Sequence, residues 1–410
     1  MTGAKTSHTP VLDSGGGDRL YAQLHELRSA GPAVQVRLPE GVVAWSVTRG
    51  DVVRRLAADP RLSRDARGVW PGYRPGKVAW LSVWVDMRSM ATSEGAEHTR
   101  LRKMLGPLFS PRRLDGLRIR VEAIVAALLD RLAAGAPGEP VDIRAHFTDA
   151  IPARLMCDLF GVPDDLRPAL LEAMGVALVT GIDAETSRRH GSETHTALED
   201  LVEARRATPG DDLTSLLLSE HEGDRLTEKQ VISTLNLMIG AGTQTTVALL
   251  THAIHELLRH PAQLAAVRAD PAGWPEVVEE TLRLHPPVVH LPLRFAREDV
   301  DLGDGCVIAA GDAVILGFGA AGLDPAVHEH AEDFHMDRAD KAHLAFGHGI
   351  HFCLGAPLAR MEALVALPAL FDRFPRLALA EPDRVPVPHT SFIANDFDRL
   401  RVLLDGPPAA

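Results

Sequence analysis

The sequence predicts a mainly helical protein with a small β-rich region, and three observations carry that expectation. Apolar residues recur at helical spacing through most of 118–208. The longest helical pattern runs from Leu226 to His260. Period-two alternation is confined to short runs such as Ala33–Leu38 and Val42–Val47. With 410 residues, 46% of them hydrophobic, the chain can bury a large core as one domain or two.

Taken in order, residues 1–17 are polar and rich in glycine and read as a flexible tail. A helical pattern begins near Tyr21, and the two alternating runs form a hairpin turning at Pro39-Glu40-Gly41. Residues 66–96 are irregular and aromatic-rich (Trp70, Tyr73, Trp80, Trp84), with Met87 and Met90. So long a connection is either a packed flap or a ligand-contacting loop. A basic helix starts at Glu97, and His98 and Arg102, four apart, share one face of it. Breaks at 135–138, 161–163 and 208–210 divide the helices that follow. The glycine-punctuated apolar run 173–181, with Val179, fits ordinary core or the roof of a pocket.

Thr227, with Gln230 three residues on, has capping-box spacing at the start of the long helix. Gly240 and Gly242 in its middle each cost roughly 1 kcal/mol relative to alanine. With Ala241 and the polar run Thr243-Gln244-Thr245-Thr246 they form a local inconsistency of the kind found at functional or strained sites. Glu280 and Arg283, three apart, pair on one helix face before Pro286-Pro287. A strand is expected over Val288–Arg294, and His290 in it reads as a surface or hydrogen-bonded residue or a substrate contact. Residues 313–322 combine a strand with G-x-G-x-x-G spacing, but Leu323-Asp324-Pro325 interrupts the helix that a dinucleotide site requires, and no βαβ unit surrounds it. Residues 390–397 read as a C-terminal hairpin turning near Ile393–Asn395.

The run Ala345–Gly355 is loosened by Gly347, Gly349 and Gly355 and holds Cys353 just before a helical pattern that starts at Pro357. A cysteine near the positive end of a helix favours the thiolate, and a lone thiolate suits one axial position on a metal such as haem iron. Inert packing is the alternative for a buried cysteine. A cluster with His343, His348 and His351 lacks the paired spacing of zinc sites.

The pattern Phe346-Gly347-x-Gly349-x-His351-x-Cys353-x-Gly355, followed by Leu358-Ala359-Arg360-x-Glu362, resembles the haem-thiolate loop of cytochrome P450 monooxygenases. That resemblance extends over nearly the whole chain after the tail. It implies a triangular, helix-rich fold, one domain over 18–406, enclosing haem b between the 226–260 helix and the cysteine helix. Cys353 would be the iron ligand. His98, Arg102, Arg294 and His351 would meet the haem propionates, while Phe346, Gly347, Gly355 and Ala241 would lie against the haem. Thr245 would stand beside bound dioxygen, where Gln244 replaces the family's usual acid and so leaves either a catalytic or a substrate-anchoring role. Trp84, Met87, Val179, Leu237, Val289, His290, Leu291, Ile393 and Asn395 would touch substrate with Gln244, and Glu280–Arg283 would be a structural brace.

The expected activity is hydroxylation of a rigid, largely apolar small molecule, steroid- or macrolide-like, with dioxygen and electrons from a ferredoxin or flavodoxin. A peroxygenase or ring-coupling enzyme, and a non-catalytic haem sensor or carrier-binding module, are the alternatives. The formal charge of −12 argues against a nucleic-acid partner. Three cysteines without evident pairing, no basic-then-apolar N-terminus and no apolar run of spanning length point to a cytoplasmic protein off the membrane. A monomer is expected.

Overall fold

The computed structural model describes residues 9–12, 14–136, 138–175, 178–180, 182–219 and 225–406. Its helices in chain order are α1 (Gly17–Ala30), α2 (Gly50–Ala57), α3 (Gly95–Leu105), α4 (Pro111–Ala133), α5 (Ala150–Leu159), α6 (Arg167–Met174), α7 (Ala184–Ala207), α8 (Leu213–Leu218), α9 (Glu228–Arg259), α10 (Pro261–Ala269), α11 (Trp274–Leu284), α12 (Phe318–Gly322) and α13 (Ala356–Arg373). The strands are β1 (Val34–Arg37), β2 (Val43–Val47), β3 (Leu62–Ser63), β4 (Val141–Asp142), β5 (His290–Ala296), β6 (Val300–Asp301), β7 (Val307–Ile308), β8 (Ala313–Gly317), β9 (Ala378–Leu379) and β10 (Arg401–Leu403). They form a sheet in the order β1-β2-β8-β5-β3, a second in the order β4-β10-β9, and the pair β6-β7.

Part of the expected flexible tail 1–17 is packed. Residues 1–8 and 13 lie outside the described residues, but Leu12 is buried and its N–H donates to the Arg37 carbonyl, beside a bridge from Val11 to Arg37. The hairpin forms as expected, with Val34 opposite Ser46. The strand expected from Val288 starts instead at His290, because Val288 is used in an isolated bridge to Ala394.

Helix α9 runs through the core and is capped as its sequence predicts. The Thr227 hydroxyl accepts from the Gln230 N–H at 3.3 Å, and the Gln230 side chain accepts from the Thr227 N–H at 3.0 Å. Its mid-helix Gly242 is explained by packing: a Cβ there would lie 2.9 Å from the Met156 sulfur of α5. One expectation is overturned here. Among the described residues α9 is long and apolar enough to cross a membrane, yet 61% of its most apolar window is buried inside the protein, so it is a core helix.

Two buried polar clusters tie the helices together. On α9 Glu256 meets His285 at 3.0 Å and His260 at 3.3 Å, and His285 meets the Tyr21 hydroxyl at 2.8 Å. On α11 the fully buried Arg283 gives Nε and Nη2 to Glu280, each at 2.8 Å. Its remaining donors go to the carbonyls of Gly322, Ala331 and Asp333. All five N–H groups of a guanidinium are thereby used. Helix α12 begins directly after β8 and ends at Gly322, so Leu323-Asp324-Pro325 interrupts it as expected. A Cβ on Gly322 would meet the Arg283 carbonyl at 2.1 Å, so the last glycine of the G-x-G-x-x-G run is there for close packing.

Candidate active site

A cavity of about 330 Å³ lies between α9, the 345–355 loop, the start of α13 and the irregular 66–96 segment. Cys353 sits in its wall, with its surface turned to the cavity. The loop is shaped by Gly347 (φ 75°) and Gly349 (φ 76°), and the Cys353 N–H donates to the Phe346 carbonyl at 2.8 Å. The helix-end expectation is only half met. Burial pushes the bare Cys353 thiol up, while the Gly355 and Ala356 N–H groups and the charges of Arg102 and Arg360 pull it down. A sulfur that receives two backbone N–H groups, yet is costly to ionise alone, is matched to a cation bound on it.

On α3, His98 and Arg102 reach the same cavity. His98 is buried, its Nε2 has no partner, and its ring stands edge-on to His351 at 4.5 Å. Arg102 Nη1 donates to the Phe352 carbonyl at 2.9 Å. Arg294 is buried from β5, and its Nε also lacks a partner. Burial, and then the charges of Arg64, Arg294, His98 and Arg102, depress His351 to about 2. These buried and half-buried positive and donor groups form no ion pair with a carboxylate among the described residues, and they fit an anionic ligand beside the sulfur.

On α9, Ala241, Thr245 and Leu237 line the cavity, and the Thr245 hydroxyl donates to the Ala241 carbonyl at 2.6 Å. Trp84, Leu291, Phe346, Gly347 and Gly355 line it as well. Gln244 is half-buried and is not among the residues lining the cavity. Six other expected substrate contacts are also absent from the lining. Met87 follows the turn Ser82–Asp86, its N–H spent on Ser82. Val179 lines a smaller neighbouring cavity with Trp80 and His190, while Val176, Ala177 and Gly181 of its run lie outside the described residues. Val289 and Ile393 are fully buried against each other's backbone, the Val289 N–H donating to the Ile393 carbonyl at 2.7 Å. His290 is fully buried, with Nδ1 2.6 Å from the Phe392 carbonyl. Asn395 gives its amide to the Tyr21 hydroxyl at 2.7 Å.

The sequence reading missed Arg64, Phe109, Asn236 and Glu362, all in the lining. Asn236 carried a signal, as a polar residue inside an apolar helical run. It also missed the bidentate contact of Arg360 with Glu279 at 2.6 and 2.8 Å, joined by His343 at 3.1 Å, which ties α13 and the cysteine loop to α11. His343 is therefore a structural partner and not a metal ligand, and no metal-holding cluster occurs among the described residues.

Glu362 is 1% exposed, its Oε2 has no partner, and burial pushes its carboxyl well above the ordinary value of 4.5. Above that value the unfolded chain loses a proton that the folded chain keeps, so the group subtracts stability as pH rises. The neutral Glu362→Gln variant should match the parent's unfolding temperature at pH of about 4 and gain a growing advantage toward pH of about 8. An advantage that stays constant over that range would contradict a buried neutral acid.

Residues 74–270 and 275–395 match the cytochrome P450 family. This chain is a cytochrome P450. It is 43% identical over 404 residues to a 2-hydroxy-5-methyl-1-naphthoate 7-hydroxylase of Streptomyces carzinostaticus, covering 97% of this chain and 98% of that one. It is 38% identical to the 6-deoxyerythronolide B hydroxylase of Saccharopolyspora erythraea, covering 94% and 96%. The solved structure of CYP154A1 from Streptomyces coelicolor A3(2) superposes with a TM-score of 0.92 at 44% identity, covering 97% of this chain and all of that one. The P450 is thus an oxidoreductase of the monooxygenase type whose family cofactor is haem b, and the cavity's donor set fits that cofactor.

Proposed function

We propose that this P450 hydroxylates a rigid, largely apolar molecule of the macrolactone, steroid or fused-aromatic kind, using dioxygen and electrons from a ferredoxin or flavodoxin in the cytoplasm. The observation that carries the reading is an apolar cavity with Cys353 and Thr245 both in its wall. The names of the relatives, a naphthoate hydroxylase and a macrolactone hydroxylase, support the substrate class.

Cys353 would hold the haem iron, and His98, Arg102, Arg294 and His351 its carboxylates. Ligated by a thiolate, the haem supplies the family's oxygen-activating chemistry. The protein's own residues do the rest. Leu237, Leu291 and Trp84 enclose the substrate and exclude bulk water, and Asn236 offers one polar anchor. The Thr245 Oγ, which already donates to Ala241, keeps lone pairs with which to accept a hydrogen bond from a water in the cavity. With Gln244 outside the lining, the proton comes through water held by Thr245 and not from the neighbouring side chain.

The test is turnover with a ferredoxin system on a panel of 6-deoxyerythronolide B, a hydroxynaphthoate and a steroid, each first screened for displacement of water from ferric iron. A hydroxylated product from at least one is expected. Thr245→Ala should bind that compound equally well but divert electrons to peroxide, lowering product per electron pair by up to about 10²-fold. Coupling unchanged in Thr245→Ala would reject the relay. Faster turnover with peroxide than with ferredoxin would favour a peroxygenase.

A further inference from the structure

Arg64 follows β3, which pairs antiparallel with β5 in a register that sets Leu62 opposite Ala296 and Ser63 opposite Phe295. One further step in that register brings Arg64 opposite Arg294. Residues opposite one another on an antiparallel pair share a face, and like charges placed so repel. Both arginines are 4% exposed and both line the cavity. Neither forms an ion pair with a carboxylate among the described residues, and burial together with the Arg294 charge depresses Arg64 to about 9. Glu94, the acid that acts on both electrostatically, already serves Arg297 and Ser63 with its side chain.

The Arg64 guanidinium is also oriented. Nε donates to the Ala91 carbonyl at 2.8 Å, and Nη1 to the carbonyls of Pro292 and Leu293, each at 3.0 Å. Nη2 has no acceptor among the described residues. Two buried guanidiniums at opposed positions, neither ion-paired with a carboxylate among the described residues, favour an anion lying with them.

We propose that Arg64 binds the haem carboxylates directly, together with Arg294 across the strand pair, and that its charge raises the reduction potential of the iron. The inference rests on the placement of haem in this cavity. With Arg102, three guanidiniums then face two carboxylates. That excess of positive charge favours the ferrous state, since each buried charge near the iron acts through a poorly screening medium.

The holoenzyme itself provides the test, through its ferric/ferrous reduction potential and the rate at which it surrenders haem to apomyoglobin. Arg64→Gln should make the potential more negative and speed haem loss by about tenfold or more. Arg64→Lys keeps the charge but not the three carbonyl bonds, so it should hold the parent's potential while losing haem faster. A potential unchanged in Arg64→Gln, or shifted equally in the Lys and Gln variants, would overturn the proposal and leave Arg64 as a clamp on the backbone alone. Arg294→Gln separates this from the site reading. If it moves both readouts while Arg64→Gln moves neither, only the Arg64 inference fails; if neither variant moves them, the carboxylate site is misplaced. Should Arg64→Gln fail to load haem, Arg64→His provides the same contrast. Its potential should fall with rising pH through the imidazole range more steeply than the parent's, and a slope equal to the parent's would again reject the role.

Discussion

Cys353→Ala will abolish the thiolate-type Soret band of the ferrous carbon monoxide complex, and Cys157→Ala will leave it intact. The three cysteines are all free, but they occupy different surroundings. Cys157 is fully buried in the helical core, where burial pushes its thiol up to about 11. Cys306 points its sulfur at the Ala33 carbonyl, 3.7 Å away. Only Cys353 lines the cavity, and it alone receives the N–H groups of Gly355 and Ala356. The ferrous-CO spectrum reads the axial sulfur directly. A thiolate-type band surviving in Cys353→Ala would remove the iron-ligand assignment.

The second large effect falls on the fold. Arg283→Lys should destabilise the protein by about 3–5 kcal/mol, because a lysine cannot reach the acceptors that the guanidinium reaches and leaves Glu280 buried and underpaired. The cost should appear as a low yield of soluble holoprotein and an early urea midpoint. Replacing both partners by apolar residues is not expected to restore stability, since Glu280 also accepts from the His335 N–H at 2.9 Å and from Arg338 at 3.1 Å. An Arg283→Lys variant as stable as the parent would show that the five-fold hydrogen bonding is redundant.

Much of this was legible in the sequence wherever the signal is local. The Thr227–Gln230 cap, the 34–47 hairpin and the pairing of Glu280 with Arg283 depend on residues three to twelve apart, and spacing reveals them. The cysteine loop was legible for a different reason: its glycines and its single thiol follow a long, specific pattern. What failed involves distant partners. The turn near Asn395 suggests a substrate contact, but the Asn395 amide is taken by Tyr21, 374 residues away in the chain. Val289 and Ile393 read as substrate contacts because they are apolar, yet each is fully buried in a separate part of the core. Nothing near Arg64 in sequence shows that Arg294 lies opposite. Met87 and Trp84 sit in one irregular segment, where no period separates the side chain that faces the cavity from the one that does not.

The neighbouring residues Glu279 and Glu280 look in different directions from α11. Glu279 grips Arg360 and His343, and through them the helix and loop that carry Cys353. Glu280 grips Arg283 and the chain from 322 to 338. The floor of the cavity is therefore bolted at two points on a single turn of helix, through charges that tolerate little change. Its roof, by contrast, is the segment around Trp84, tied largely within itself, as by the Tyr73 hydroxyl to Asp86 at 2.6 Å, and not to the helix that carries the sulfur. Variation in that roof can reshape the space offered to a substrate while the sulfur stays where it is. In evolutionary terms the molecule keeps its reagent and its recognition surface on separate foundations, so one can diversify without placing the other at risk.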